Sequence, residues 1–548
     1  MEKRIFLAVV ISIAILATWG IVVPKLFPQF AKQPASAQRA LRSAQTATTT
    51  TTSPTTTSPA PELQPAVVQL TTATPVAAAK PELSVVEEPH FIATFSNRGA
   101  ELVSFKLKDY RAQDGSPLEL VKARDASRND YPFAIEARDT NLSRRVDTAL
   151  YAVTQRTEKG STVLDYRYSD GAISVAKTFR ITSDYPFDFS ISVTPAVPYR
   201  VVIGPGIRTL AAEERDSQFI VTGNAVVQID DKLKVINREK GDRFNVYDNA
   251  QFVGIEDNYF LTALRPAKSG AAIVQRSDFP DPVKKETRKD LYAGLNAASD
   301  GTVAGSAFFG PKQTKILEKY NYASTLQFGF FGFIGRLLLE VLIWINGITH
   351  NYGWAIIVLT ILIKVVLYPL QHKSIVSMKK MQRVQPKVES IKNKYKKAKS
   401  DAEQRQKMNV EMMKLYQQEG INPMGGCLPI ALQLPILWGF YGILSRAIEL
   451  RGAPFALWIH DLATKDPLYI TPILMTATMF IQQMITPTTV DPAQRRMFMI
   501  MPLVFGWIFK EFPSGLVLYW LVQNILTIVQ QLIMNKYWKD HPAELQKT

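Results

Sequence analysis

The 548-residue sequence predicts an α-helical polytopic membrane protein with six transmembrane helices, joined to a large all-β domain. Long apolar runs at 5–23 and beyond residue 350 are of spanning length or close to it. All eight tryptophans (Trp19, Trp344, Trp354, Trp438, Trp458, Trp507, Trp520, Trp538) lie before residue 20 or after residue 343, which separates an aromatic-rich membrane part from a Trp-free middle. Within that middle, 83–322, apolar and polar residues alternate at the period of a strand.

The first apolar run follows a short charged start. Ala35-Ser36-Ala37 offers a signal-peptidase-like site, but nineteen residues exceed the usual apolar core of a signal peptide, so residues 1–27 read as an uncleaved anchor. Lys3 and Arg4 would hold its start in the cytoplasm. Residues 28–82, with the run TATTTTTSPTTTSPAP, have too few large apolar side chains to offset the entropy of ordering and read as a disordered linker.

In the β region, Phe91, Ala93 and Phe95 form one alternating set. Ile173, Val175, Lys177, Phe179 and Ile181 form a second, and Phe187, Phe189, Ile191 and Val193 a third. Asp114-Gly115, Asp170-Gly171 and Asp300-Gly301 supply turns, so a single antiparallel sandwich is expected. His90 is its only histidine, and no nucleophile motif, metal spacing or phosphate-binding loop is visible, so binding or spacing is favoured over catalysis.

Residues 328–349 carry Arg336 and Glu340 at a spacing that allows pairing, beside a broad apolar surface. A helix lying in the membrane interface is expected over 323–350. The remaining crossings are 354–370, 427–444, 468–485, 497–509 and 515–534. Lys364 lies inside the first of these, where a central lysine costs about 2.5–3.5 kcal/mol. Either it snorkels to nearby headgroups or it faces a wet interior. Thr360 shares its face.

Between 375 and 420 stand twelve basic residues, including Lys379, Lys380 and Arg383, against five acidic ones. The positive-inside rule places this loop in the cytoplasm, as a hairpin of helices near 374–396 and 401–419. Its methionines, among them Met408, Met412 and Met413, suit either packing between the two helices or an adaptable partner surface. The formal charge of +16 points to cytoplasmic loops and anionic lipid before nucleic acid, and no direct nucleic-acid recognition is expected. One cysteine, Cys427, excludes an intrachain disulfide and a multi-cysteine metal site, and no cofactor is expected.

The strings YPLQHKSIVSMKKMQRVQPK, NPMGGCLPIALQLPILWGFYGIL, ELRGAPFALWIHDLATKDP and FPSGLVLYWLVQNILTIVQQ closely resemble the YidC/Oxa/Alb family of membrane protein insertases, in its Gram-negative type. The resemblance covers about 328–538 and implies a five-helix insertase core over 351–536, with a short cytoplasmic tail at 537–548. It implies a periplasmic β-supersandwich over 83–322 and a groove open to cytoplasm and lipid. The family's basic groove residue, usually arginine, falls on Lys364, and its polar groove positions fall on Thr360 and Gln433. Gln523 and Thr527, one turn apart on the last helix, are added from spacing. The resemblance further implies a non-enzymatic insertase and chaperone of the cell inner membrane with both termini in the cytoplasm. Expected partners are nascent inner-membrane proteins, the Sec translocon and its accessory subunits, the ribosome and the signal-recognition receptor. The residues themselves leave two rivals: a transporter or channel, and an anchored carbohydrate-active enzyme. For Gln433, Gln523 and Thr527, plain interhelical hydrogen bonding is the competing role.

Overall fold

The computed structural model describes residues 74–112, 114–122, 131–210, 221, 223–268, 270–280, 287–395, 401–421, 428–486 and 492–540. The expected anchor at 1–27 and most of the linker lie outside the described residues, as does Cys427. The described end of the linker is ordered: Val76 pairs backbone to backbone with Ser169, and Ala78 N–H donates to the Leu150 carbonyl. Short extended segments gain hydrogen bonds there that a free polar chain lacks.

Alternation becomes strand wherever one face can be buried. In Phe91–Ser96 the odd positions are buried, and in Ser174–Ile181 Val175, Lys177, Phe179 and Ile181 all point inward. Pro186–Thr194 buries Phe187, Phe189, Ile191 and Val193 in the same way. Leu83–Glu87, Phe91–Ser96, Glu101–Arg111 and Pro117–Glu119 form a four-stranded sheet in chain order. A thirteen-stranded antiparallel sheet runs from Ala134–Ala137 at one edge to Ala152–Glu158 at the other, with Asn224–Ile229 and Lys232–Ile236 branching from Phe244–Glu256. Aromatic rings join the two sheets, with Phe95 meeting Phe179 at 4.6 Å and Phe105 meeting Phe309 at 5.3 Å, while Phe133, just before the edge strand Ala134–Ala137, meets Phe189 of the same large sheet at 5.4 Å. Such pairs add to the gain from burying their area. Gly171 and Gly301 take the left-handed conformation that their turns require.

Lys177 sits within this apolar core, donating to the Gly99 and Phe133 carbonyls at 2.6 and 2.8 Å. Burial holds its ammonium below the ordinary lysine range, although Asp147 and Glu101 oppose the shift. Between the lowered folded-state value and the ordinary one, the unfolded chain binds more protons, so stability rises with pH. In thermal unfolding of the full chain in detergent, wild type should therefore gain on Lys177→Met as the pH rises toward the ordinary lysine value of about 10.4. A gap that stays constant would show that the lysine is not penalised by its charge.

Two helices not expected from the sequence flank the sandwich: α1 (Thr140–Thr148), capped by Asp139, and α2 (Thr314–Lys319). The helices that follow are α3 (Gly332–Thr349), α4 (Tyr352–Lys394), α5 (Ala402–Gln418), α6 (Leu428–Arg446), α7 (Ile470–Ile485), α8 (Pro492–Phe509) and α9 (Ser514–Asp540). Of these α3, α4 and α9 are long and apolar enough to cross a membrane, while α7 and the 498–509 part of α8 are shorter apolar helices. The expected pairing of Arg336 with Glu340 is absent among the described ion pairs; both side chains are exposed. Solvation and side-chain entropy remove most of the gain from such a pair. Where the sequence suggests a crossing ending near 370 and a new helix from 374, α4 runs unbroken to Lys394. The change from apolar to basic side chains leaves the backbone hydrogen-bond ladder intact, and a long helix tolerates the donors missing at Pro369 and Pro386.

Segment 374–426 belongs to a compact unit distinct from 72–373, 427–486 and 490–548. Within it Asp401 caps α5, accepting from Glu403 N–H at 2.9 Å. Val384, Val388 and Ile421 form a small core with Met381, Met412, Leu415 and Tyr416.

Candidate functional site

The site is assembled from α4, α6 and α9. The N-terminal ends of α4 and α9 and the C-terminal end of α6 converge on Gly515, where a Cβ would stand 2.7 Å from Leu444 Cδ2 and 3.3 Å from Ile356 Cδ1. A side chain at this position would force Leu444 to shift. Ala355, Ile356 and Leu359 of α4 are buried there, with Leu444, Leu462, Leu516 and Val517 around them.

Further along α4 the pattern inverts. Of the ten residues 361–370, only Lys364 is buried, at 8% exposure, while Val365 and Val366 are 65% and 76% exposed. The helix thus turns its apolar side outward, as toward lipid, and its charge inward. Lys364 Nζ donates to Thr527 Oγ1 at 2.9 Å, and that hydroxyl donates to the Gln523 carbonyl at 2.7 Å. The amide of Gln523 donates to Gln433 Oε1 at 3.4 Å, and the amide of Gln433 donates to the Tyr519 hydroxyl. Tyr519 is itself stacked on Phe440, with ring centroids 4.3 Å apart. Lys364, Thr527, Gln523 and Gln433 therefore stand in one line of polar contacts. Thr360 does not join this line, since its buried hydroxyl donates to the Ile356 carbonyl of its own helix at 2.6 Å.

Lys364 enters none of the ion pairs among the described residues. Further polar atoms on α4 and α9 are also buried without a hydrogen-bond partner: Gln523 Oε1, Gln371 Oε1, His372 Nδ1 and both amide atoms of Gln530. Each such orphan costs about 1–3 kcal/mol relative to a satisfied group. Apolar side chains would avoid that cost, so the cluster is suited to water or to a visiting polar chain.

Sequence reasoning did not identify Tyr519, Gln371 or Gln530. The last two carry a readable signal: Gln371 stands seven residues after Lys364, and Gln530 seven after Gln523, which returns each to the same helical face. Asn524 was also missed; it ties α9 to α7 through the Met475 carbonyl and Thr478 Oγ1.

In the separate hairpin unit, Lys387 pairs with Glu419 at 2.6 Å and Lys394 with Glu411 at 2.9 Å. Lys379, Lys380 and Arg383 enter no ion pair among the described residues. Met412 packs into the small core and Met408 is half-buried, whereas Met413 is exposed. Met412 thus serves packing within the hairpin, while Met413 stands at its surface.

Residues 344–541 match the family described as 60Kd inner membrane protein, and residues 84–341 match the YidC periplasmic domain. A membrane protein insertase YidC from Geobacter metallireducens is 34% identical over 98% of both chains. The chain belongs to the YidC family. Another protein of that name, from Campylobacter jejuni, is 32% identical over 98% of this chain and 97% of its own. Among solved structures, an active YidC insertase with its first transmembrane domain resolved covers 83% of this chain and 94% of its own, at 19% identity and a TM-score of 0.36. Membership in the YidC family makes the sandwich the periplasmic domain of an inner-membrane protein, with apolar helices following it.

Proposed function

We propose that this protein inserts nascent membrane proteins into the inner membrane by receiving their hydrophilic segments in a wet, positively charged groove between α4, α6 and α9. The observation that carries this reading is the inward-facing Lys364, bonded to neutral Thr527 and entering no ion pair among the described residues. A buried cation of this kind is a standing attractor for a carboxylate. At an effective dielectric of 20, two unit charges about 4 Å apart interact by about 4 kcal/mol.

A polar tail crossing lipid loses several kcal/mol for each unsatisfied backbone group. The groove shortens that path, and Gln433, Gln523, Thr527 and Tyr519 offer hydrogen bonds along it, with Thr360 closing the base of the lysine's face. The client's apolar helix meanwhile partitions into lipid beside the exposed valines of α4, and its burial drives the step. A membrane potential adds about 2.3 kcal/mol per charge per 100 mV for an acidic tail moving outward. The converged ends at Gly515 keep the groove shut on the periplasmic side, and the basic ends of α4 and α9 support a cytoplasmic hairpin and C-terminus under the positive-inside rule, as Lys3 and Arg4 do for the N-terminus. The work is electrostatic and mechanical; no bond in the client is made or broken. Exposed Met413 and Arg383, with half-buried Lys379 and Lys380, give the hairpin an apolar and cationic surface for receiving the client, ribosome or signal-recognition receptor, close to anionic lipid. The Sec translocon and its accessory subunits are partners for larger clients, and shelter of the inserted helix in the groove is the chaperone role.

The test is reconstitution. Purified protein in liposomes, without ATP, should carry the tail of a small acidic-tailed membrane protein to the protease-inaccessible side. Deleting 375–420 should lower the yield by about tenfold, equivalent to about 1.4 kcal/mol. Ion flux without insertion would replace this reading with a channel, and an undiminished yield after the deletion would remove the hairpin from the path.

A further inference from the structure

The polar seam does not stop at Lys364. Gln371 lies two turns further along α4, about 10 Å toward the cytoplasmic end, and Gln530 lies about 4.5 Å beyond Thr527 on α9. Both helices run in the same direction from their converged ends, so Gln371, seven residues after Lys364, continues the face of that lysine, and Gln530, seven residues after Gln523, continues the face of that glutamine. Gln371 is 6% exposed and Gln530 is 8% exposed, yet Oε1 of the first and both amide atoms of the second lack a partner. Adjacent Gln531 differs: its amide donates to Thr486 Oγ1 at 2.9 Å, and that hydroxyl donates back to Oε1 at 3.1 Å. The same side chain on the same helix thus serves as a satisfied tie between helices at 531 and remains buried and unsatisfied at 530.

A primary carboxamide donates one hydrogen bond and accepts another, as a peptide group does. It is also uncharged, so it answers to the main chain of a passing segment and not to the sign of its side chains. We propose that Gln371 and Gln530 form a neutral, backbone-binding stage of the client path, on the cytoplasmic side of Lys364. There they engage the main-chain amides of the entering hydrophilic segment whatever its charge. This deepens the insertase reading above and rests on it; the two residues are positioning residues that hand the segment on to the charged stage.

The experiment uses the full chain in liposomes and two clients that share one apolar helix, with an acidic tail in one and a neutral serine- and asparagine-rich tail in the other. Gln371→Leu with Gln530→Leu should lower insertion of both clients by the same factor, about tenfold or about 1.4 kcal/mol. Gln530→Asn, which keeps the amide, should restore part of that loss. A photo-cross-linking residue at position 530 should capture both tails when insertion is arrested midway, which tests the contact even if the leucine variants fold poorly. Unchanged insertion of both clients, or no cross-link to either tail, would overturn the proposal, and so would a loss confined to the acidic tail. If Lys364→Ala still weakens the acidic client while the glutamine variants are silent, only this stage fails. If Lys364→Ala is silent as well, the groove itself fails.

Discussion

Lys364→Glu should reduce insertion of an acidic-tailed client by at least about a hundredfold, while Lys364→Arg retains most of it. The lysine is the one buried residue of 361–370, and it faces a hydroxyl, not a carboxylate. Charge reversal therefore places an uncompensated carboxylate where an acidic tail must pass, turning an attraction of a few kcal/mol into a repulsion of similar size. Alanine removes the attraction without adding repulsion and should fall between, at about tenfold. Arginine keeps the charge, and its planar fork can grip a carboxylate through two hydrogen bonds. A client with a neutral tail should be much less sensitive to all three. The measurement is the protease-protected fraction of each client in liposomes, and equal yields with glutamate and lysine would exclude an electrostatic role.

The largest loss of stability is expected from Asp257→Ala in the periplasmic domain. Asp257 pairs with Arg208 at 2.5 Å with side-chain exposures of 0% and 2%, and its other oxygen accepts from the Tyr259 and Phe260 N–H groups at 2.7 and 2.6 Å. Removing one partner of such a pair costs about 3–5 kcal/mol, because the remaining charge stays buried. The turn it orders also presents Asn258, whose amide donates to the Ser445 carbonyl at the end of α6 at 2.6 Å. Nearby, Arg451 lies over the Tyr259 and Phe260 rings at 5.8 and 5.5 Å. The substitution should thus also loosen the sandwich on the membrane core. Thermal unfolding of the full chain in detergent checks this, with exposed Asp231→Ala as a near-neutral control. Adding Arg208→Met should recover part of the loss, since removing both charges also removes the desolvation cost. A drop no larger than that of the control would show that the pair contributes little.

Much of this architecture was legible because its signals are local. Period-two alternation located the strands at Phe91, Val175 and Phe187, since a strand is stable only where alternate side chains find a core. Asp-Gly pairs located turns for the same kind of reason. The two short helices α1 and α2 were missed because nine and six residues carry little periodic signal. The break expected after 370 followed side-chain polarity, which the backbone ladder of α4 ignores.

At the site, sequence marked which polar groups stand inside apolar helices: Lys364, Gln433, Gln523 and Thr527. It could not pair them, because Lys364 and Thr527 lie 163 residues apart and their contact depends on how α4 and α9 pack. Nor could it separate Gln530 from Gln531, adjacent and chemically identical, of which one is bound to Thr486 and the other left unsatisfied. Composition determined that this chain is a membrane protein with a β-domain, because hydropathy and alternation are properties of neighbouring residues. The tertiary structure alone decided that Lys364 turns inward rather than snorkelling outward, because that choice depends on hydrogen-bond partners supplied by a distant helix.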